Sequence, residues 1–154
     1  PTSDGMTYLE RIETDWPFRV QLPVGTHVPF HCTASGKTFM ASLRPKARHA
    51  LVRSLRLQKL TSNTFIDPEA LMSELKLVSK QGYAIDNEEF ISGMVAIAVP
   101  ITDDQGRYVA SLAFHGPSQR LTVEKVISQK DVLFDGAQTM KDVLFIDGLP
   151  EYPD

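Results

Sequence analysis

Two apolar runs separated by a short break constrain this chain more than any other feature. Residues 93–102 are almost wholly apolar, and residues 107–116 resume the pattern after Asp103-Asp104-Gln105-Gly106. Strand-like runs on either side of so short a break read as an antiparallel hairpin. If the four residues form the loop, Thr102 faces Arg107, and every later pair follows from that register. One face then carries Val95 with Phe114, Ile97 with Leu112, Val99 with Ala110 and Ile101 with Tyr108. The other carries Met94 with His115, Ala96 with Ala113 and Ala98 with Ser111. The first face is bulky and reads as core. The second is small, which has two explanations: room for a ligand, or close packing against another stretch of backbone.

The remaining elements follow in chain order. Met6, Tyr8 and Ile12 space a short strand or helix, and residues 18–22 alternate as a strand. A turn at residues 23–25 leads to a second strand over 28–30. From Gly36 to about residue 43 the sequence suits a helix, which stops ahead of Pro45 because proline disfavours helical backbone at the residue before it. Pro45 opens another helix to about residue 53, with Ala47, Leu51 and Val52 inward. Residues 54–64 are polar and basic with no sustained period, and read as a mobile loop and a candidate lid. Asp67-Pro68-Glu69 is a helix start, Leu71, Leu75 and Val78 form its buried stripe, and Gly82 supplies the left-handed stop. From Thr122 a single helix places Val126, Leu133, Ala137, Met140 and Leu144 on one stripe, with Gly136 a weak spot in it. The sum is an α+β domain, an antiparallel sheet flanked by helices.

At 154 residues the chain reads as one domain spanning residues 1–154. Its first residue is not methionine, so it reads as a piece of something longer. The basic residues Arg44, Lys46, Arg48, Arg53, Arg56 and Lys59 are outweighed by 19 acids, and the net charge of −3 argues against this chain alone gripping nucleic acid. One cysteine forms no internal disulfide and no apolar run reaches membrane length, so a reducing cytoplasm is the expected compartment. No metal-ligand spacing repeats, so neither a metal nor a cofactor is expected. Cys32 beside His31 raises the alternative of a thiol enzyme, but sequence neighbours seldom aim at one point. Glu88 and Glu89 are adjacent and point apart on extended backbone, which argues against a carboxylate dyad.

The turn ahead of the first helix carries the binding expectation. Thr33, Ala34, Ser35 and Gly36 place little bulk where the strand enters the helix. The open N–H groups and the positive end of the helix dipole make a receptor for a small anion. It is not a phosphate loop, since the Walker A spacing is absent.

These residues also carry a resemblance. The run Val28-Pro29-Phe30-His31-Cys32-Thr33-Ala34-Ser35-Gly36-Lys37 resembles the P-x-H-x-x-x-x-G-K turn of IclR-type bacterial transcriptional regulators. Gly82-Tyr83-Ala84-Ile85-Asp86-Asn87-Glu88-Glu89 is similar to their G-Y-x-x-D-x-E-E signature, and the strand to Pro100 and the segment Ser111 to Pro117 match their closing hairpin. The match runs from about residue 25 to 122 and covers the effector-binding half of that family; the winged helix-turn-helix that should precede it is not in this sequence. The resemblance implies a GAF/profilin-like sensor fold, a homodimer or homotetramer, a small organic acid effector, no enzyme activity and DNA contact only through the missing N-terminal domain. It places Val28 and Gly36 in the pocket turn, the effector carboxylate on the N–H groups of Ala34 and Ser35, and a side-chain carboxylate at Asp86. Its strand positions fall on Ala96, Ala113 and His115, on the small face of the hairpin. Members with Cys or Ser at the strand positions make contacts that the alanines cannot, which points to a bulkier, aromatic or branched carboxylate. His115 either bonds that carboxylate or ends a strand half exposed, and Asp86 either meets ligand hydroxyls or only accepts bonds from a loop. A stand-alone GAF-like sensor remains the alternative.

Overall fold

The computed structural model describes residues 1–15 and 21–145. Most of the strand expected over residues 18–22 therefore lies outside the described residues. Strand β1, Gly5–Thr7, pairs antiparallel with β2, His27–Pro29. Helices α1 (Ala34–Ser42), α2 (Pro45–Ser54) and α3 (Pro68–Gln81) follow. Next come β3 (Ala84–Asn87), β4 (Met94–Thr102) and β5 (Tyr108–Pro117), then α4 (Val123–Ser128) and α5 (Lys130–Leu144). The second sheet runs β3-β4-β5, antiparallel throughout, so the fold is α+β as the pattern requires.

The local signals of α3 act as read. The Asp67 side chain accepts from the Ala70 N–H, Pro68 opens the first turn, and Gly82 closes the helix at φ 83°. Leu71, Leu75 and Val78 are buried in the core with Met6, Val28, Phe30, Met40 and Val52. In α2 the inward residues differ from expectation. Ala47 is exposed, Leu51 is half-buried, and Arg48 turns in beside Val52. Its guanidinium donates to the carbonyls of Met40, Ala41 and Leu43 where α1 ends, the Met40 carbonyl also accepting from the Leu43 N–H. A cation at a helix C-terminus is also favoured by the dipole. Hydrophobic spacing carries no trace of this arrangement.

The hairpin forms, but its register is offset by two from the expected one. Ile97 pairs with Phe114, Ala98 with Ala113, Val99 with Leu112 and Ala96 with His115. The Asp103 N–H donates to the Arg107 carbonyl at 2.9 Å, so the loop has three residues, Asp104-Gln105-Gly106, with Gly106 at φ 73°. Asp103 fixes it, its Oδ1 accepting from the N–H groups of Gln105 and Arg107. A second residue is taken up at Val109, because Tyr108 pairs with Thr102 while Ala110 pairs with Ile101. An offset of two restores the faces of Ala110 through His115. Tyr108 is the exception: it faces α1, against Phe39, with its hydroxyl 2.5 Å from Ser111 Oγ.

Val95, Ile97, Val99 and Ile101 pack on Val126, Leu133 and Ala137, and Ala96 and Ala98 pack on Ala34 of α1. The sheet is thus covered on both faces. The C-terminal helix breaks at Gln129, and its stripe is buried only as far as Ala137. Met140 and Leu144 are exposed, because α5 continues past the side chains it covers. Gly136 has a packing reason, since a Cβ there would stand 2.9 Å from Leu112 Cδ2.

Candidate functional site

The residues singled out from the sequence divide into two groups. Asp86 pairs with Ala96 across β3 and β4, and Ala96 with His115 across β4 and β5. Directly opposed residues share a face, so Asp86, Ala96 and His115 form a row beneath the start of α1. Ala34 packs on the middle of that row, and Ser35 beside it is half-buried. Close packing against α1 therefore accounts for the small side chains at Ala96 and Ala98. Ala113 is exposed, one pair along from His115. Val28 lies away from the row, in the core with Met6 and Phe30. Gly36 is set by packing: a Cβ there would stand 2.7 Å from the Phe30 carbonyl carbon, with its Cα and oxygen closer still.

The turn into α1 has the donors that an anion needs. Thr33 caps the helix, its Oγ1 accepting from the Gly36 N–H at 3.2 Å and donating to the Pro29 carbonyl at 2.7 Å. Its carbonyl accepts from the Lys37 N–H, the first helical bond. The N–H groups of Ala34 and Ser35 precede that bond and so have no acceptor within the helix.

Around the turn stand residues that sequence reasoning passed over or set aside. The Tyr8 ring meets the His115 ring edge-on, with centroids 6.4 Å apart. Burial raises the Tyr8 phenol, and the charge of Asp86 raises it further. Burial likewise pushes the Cys32 thiol up to about 12, with Asp86 and Glu89 adding to the effect. A thiol that keeps its proton is a poor nucleophile. Only Tyr8's place in an alternating run hinted at an inward position; its meeting with His115 brings a residue just past β1 to one in β5, far apart in sequence.

Asp86 is 1% exposed. Its Oδ1 accepts from the N–H groups of Glu89 at 2.7 Å and Phe90 at 3.3 Å, while Oδ2 is buried with no hydrogen-bond partner. Burial, then the charge of Glu89, raises its carboxyl to about 7. Glu89 is also buried and raised by desolvation, and Lys37 Nζ reaches it at 2.7 Å and Glu74 at 3.2 Å. Lys37 is itself fully buried, 5.2 Å from the centre of the Phe65 ring. Glu88 points elsewhere, its Oε2 accepting from the Gly93 N–H, so the two glutamates do not act together.

The polar segment after α2 is irregular, but it is tied to this site rather than standing off it. His31 Nε2–H donates to the Gln58 carbonyl at 2.9 Å. Thr61 and Thr64 donate to the carbonyls of Glu88 and Glu89 at 2.6 and 2.7 Å. On the other side, a groove of about 320 Å³ opens beside His115, lined by Tyr8, Arg11, Ala113 and Leu121 among others. Among the described residues no cluster of His, Cys, Asp and Glu could hold a metal ion. No helix there is long and apolar enough to cross a membrane.

A raised carboxyl has a definite sign in stability. Below the unfolded value near 3.8 the buried Asp86 carboxyl is neutral in both states; as pH rises toward 7 the folded state increasingly holds a proton that the unfolded state has lost. Each unit across that window costs about 1.4 kcal/mol. Asp86→Asn keeps the acceptor for Glu89 and Phe90 and removes the titration. The melting temperature of the unchanged chain is expected to fall between pH 5 and 7, and that of the variant to fall less. Equal slopes in thermal melts would show that Asp86 is not the titrating group.

The chain matches the family model described as bacterial transcriptional regulator IclR, C-terminal, over residues 2–141. It is 38% identical over 126 residues to the probable transcriptional regulator SauR of Cupriavidus necator, covering 82% of this chain and 50% of that protein. The crystal structure of Thermotoga maritima IclR superposes with a TM-score of 0.82 at 32% identity, covering 88% of this chain and 55% of that one. A double mutant of the PobR transcription factor inducer-binding domain from Acinetobacter, in complex with 3-hydroxybenzoic acid, does so with a TM-score of 0.74 at 27% identity, covering 77% and 69%. The chain spans about half the length of the curated relatives it matches. Those relatives are named as transcriptional regulators and repressors. With the family model matched over nearly its whole length, the chain belongs to the IclR family of bacterial transcriptional regulators, as its C-terminal domain.

Proposed function

We propose that residues 1–154 act as one effector-binding domain that takes a small organic carboxylate and thereby controls DNA binding by a longer regulator in the cytoplasm. The observation that carries this reading is the inducer-bound PobR domain, whose fold matches most of this chain. In this chain the effector carboxylate sits on the N–H groups of Ala34 and Ser35, within reach of the row from Asp86 to His115. Entry is from the groove beside Tyr8 and His115. DNA is contacted by a helix-turn-helix domain outside this sequence, and the regulator works as a homodimer or homotetramer. A ligand shifts the balance between subunit arrangements only by its difference in affinity for them.

The effector is aromatic or branched rather than a two- or three-carbon keto acid. Ala96 and Ala113 offer no hydroxyl or thiol, and the solved relative holds a benzoic acid. Thermal melts of this chain with 3-hydroxybenzoate and with pyruvate test the reading. Ligand at about a hundred times its dissociation constant stabilises the fold by about 2.7 kcal/mol. The expected result is a clear shift with the aromatic acid that His115→Ala weakens several-fold in apparent affinity. Equal shifts with pyruvate overturn the aromatic preference. No shift with any carboxylate overturns the site.

A further inference from the structure

If a carboxylate sits at the N-terminus of α1, as proposed above, it arrives where negative charge already exceeds positive. Asp86 and Glu89 are buried together at the end of β3, with Glu74 of α3 close by. Lys37 of α1 serves all three, and its Nζ is committed to Glu89 and Glu74. The other titratable groups at Asp86 are the Tyr8 phenol and the Cys32 thiol, near enough for its charge to raise both, and His115 at the far end of the row. Phenol and thiol carry protons and are neutral. A bound anion therefore adds one negative charge beside two buried carboxylates, the half-buried Glu74 and one buried ammonium.

Asp86 offers the relief. Oδ1 is occupied by two backbone N–H groups, while Oδ2 is buried and unpartnered on the face that looks toward α1. A buried oxygen without a donor favours the protonated carboxyl, which can give a hydrogen bond that the ionised form cannot. We infer that Asp86 receives the effector as a neutral acid, its Oδ2–H donated to an oxygen of the bound anion, so that binding takes up a proton from solvent whenever Asp86 was ionised beforehand. No bond other than that to the proton changes. Two consequences follow for specificity. The group of the effector facing Asp86 is an acceptor, a carboxylate or keto oxygen, and an ammonium in that place is not favoured. Affinity for the anion also falls as pH rises, approaching tenfold per unit on the alkaline side of the Asp86 midpoint.

Calorimetric titration of this chain with 3-hydroxybenzoate, in HEPES and in Tris, counts the protons from the difference in buffer ionisation heat. At about pH 8 the expected uptake approaches one proton per ligand bound. Asp86→Asn retains a donor near Oδ2 and is expected to bind with no uptake and with flat affinity between pH 7 and 9. His115→Gln is expected still to take up the proton. Binding with no uptake by the unchanged chain, uptake persisting in Asp86→Asn, or uptake lost in His115→Gln overturns the inference while leaving the carboxylate site standing. Absence of binding by 3-hydroxybenzoate and by pyruvate overturns both. Should Asp86→Asn fail to fold, the proton count of the unchanged chain and of His115→Gln decides.

Discussion

Lys37→Met is expected to destabilise the chain by about 4 kcal/mol, because it leaves Glu89 buried without its counter-charge. Lys37 is fully buried and lies 2.7 Å from a glutamate whose side chain is 7% exposed, so water cannot replace the ammonium. Methionine matches the stem in length, so the loss is one of charge rather than volume. Two measurements separate this from a simple packing defect. Since burial already raises Glu89, removing Lys37 raises it further, and the penalty shrinks as pH falls and the carboxyl takes a proton. The double variant Lys37→Met with Glu89→Gln is expected to recover much of the loss, since the charge and the need for its partner disappear together. Urea unfolding of the three chains at pH 5 and 7.5 reads all of this. A penalty independent of pH and unrelieved by Glu89→Gln would mean that Lys37 acts through its contacts alone.

Gly36→Ala is expected to cost about 3 kcal/mol even though alanine is the better helix former. The added methyl overlaps main-chain atoms of Phe30, which cannot rotate aside, so either α1 or the end of β2 must move. Gly136→Ala is the control. There the nearest atom is the tip of the Leu112 side chain, which can shift, and the helical gain of about 1 kcal/mol offsets much of the crowding. Thermal melts of the two variants should therefore differ widely. Similar melting temperatures would show that α1 is not held against β2 as described.

The contrast between these glycines bears on what the sequence can reveal. Elements defined by neighbouring residues were legible: Asp67, Pro68 and Gly82 bound α3, and Leu71, Leu75 and Val78 fill the core as their spacing requires. The hairpin was legible in its faces, because alternation fixes which residues share a side. Its register was not, because the turn closed on three residues and Val109 bulged, and neither choice leaves a mark in apolar spacing. Buried charge was the least visible. Lys37 finds Glu89 across 52 positions, and Arg48 reads as part of a basic run until α1 ends above it. In the candidate site, the family motifs singled out Asp86 and His115, but not that both flank Ala96 in one row, nor that Tyr8 meets His115 at one end. Those facts depend on register and on a strand from the far end of the chain. The expected lid illustrates the same limit, since Thr61 and Thr64 look like loop residues until their hydroxyls are seen on the Glu88 and Glu89 carbonyls.

Val109 gives the hairpin one residue of slack. Ala110 already pairs with Ile101, so losing Val109 would straighten the strand without moving any partner beyond it. An added residue could be absorbed between Thr102 and Ala110 in the same way. His115 and Ala96 lie at the opposite end, where β3 also pairs and no residue is spare. One end of the hairpin can therefore be edited in length while the other keeps its alignment, and related chains could differ in turn length with the row from Asp86 to His115 unmoved.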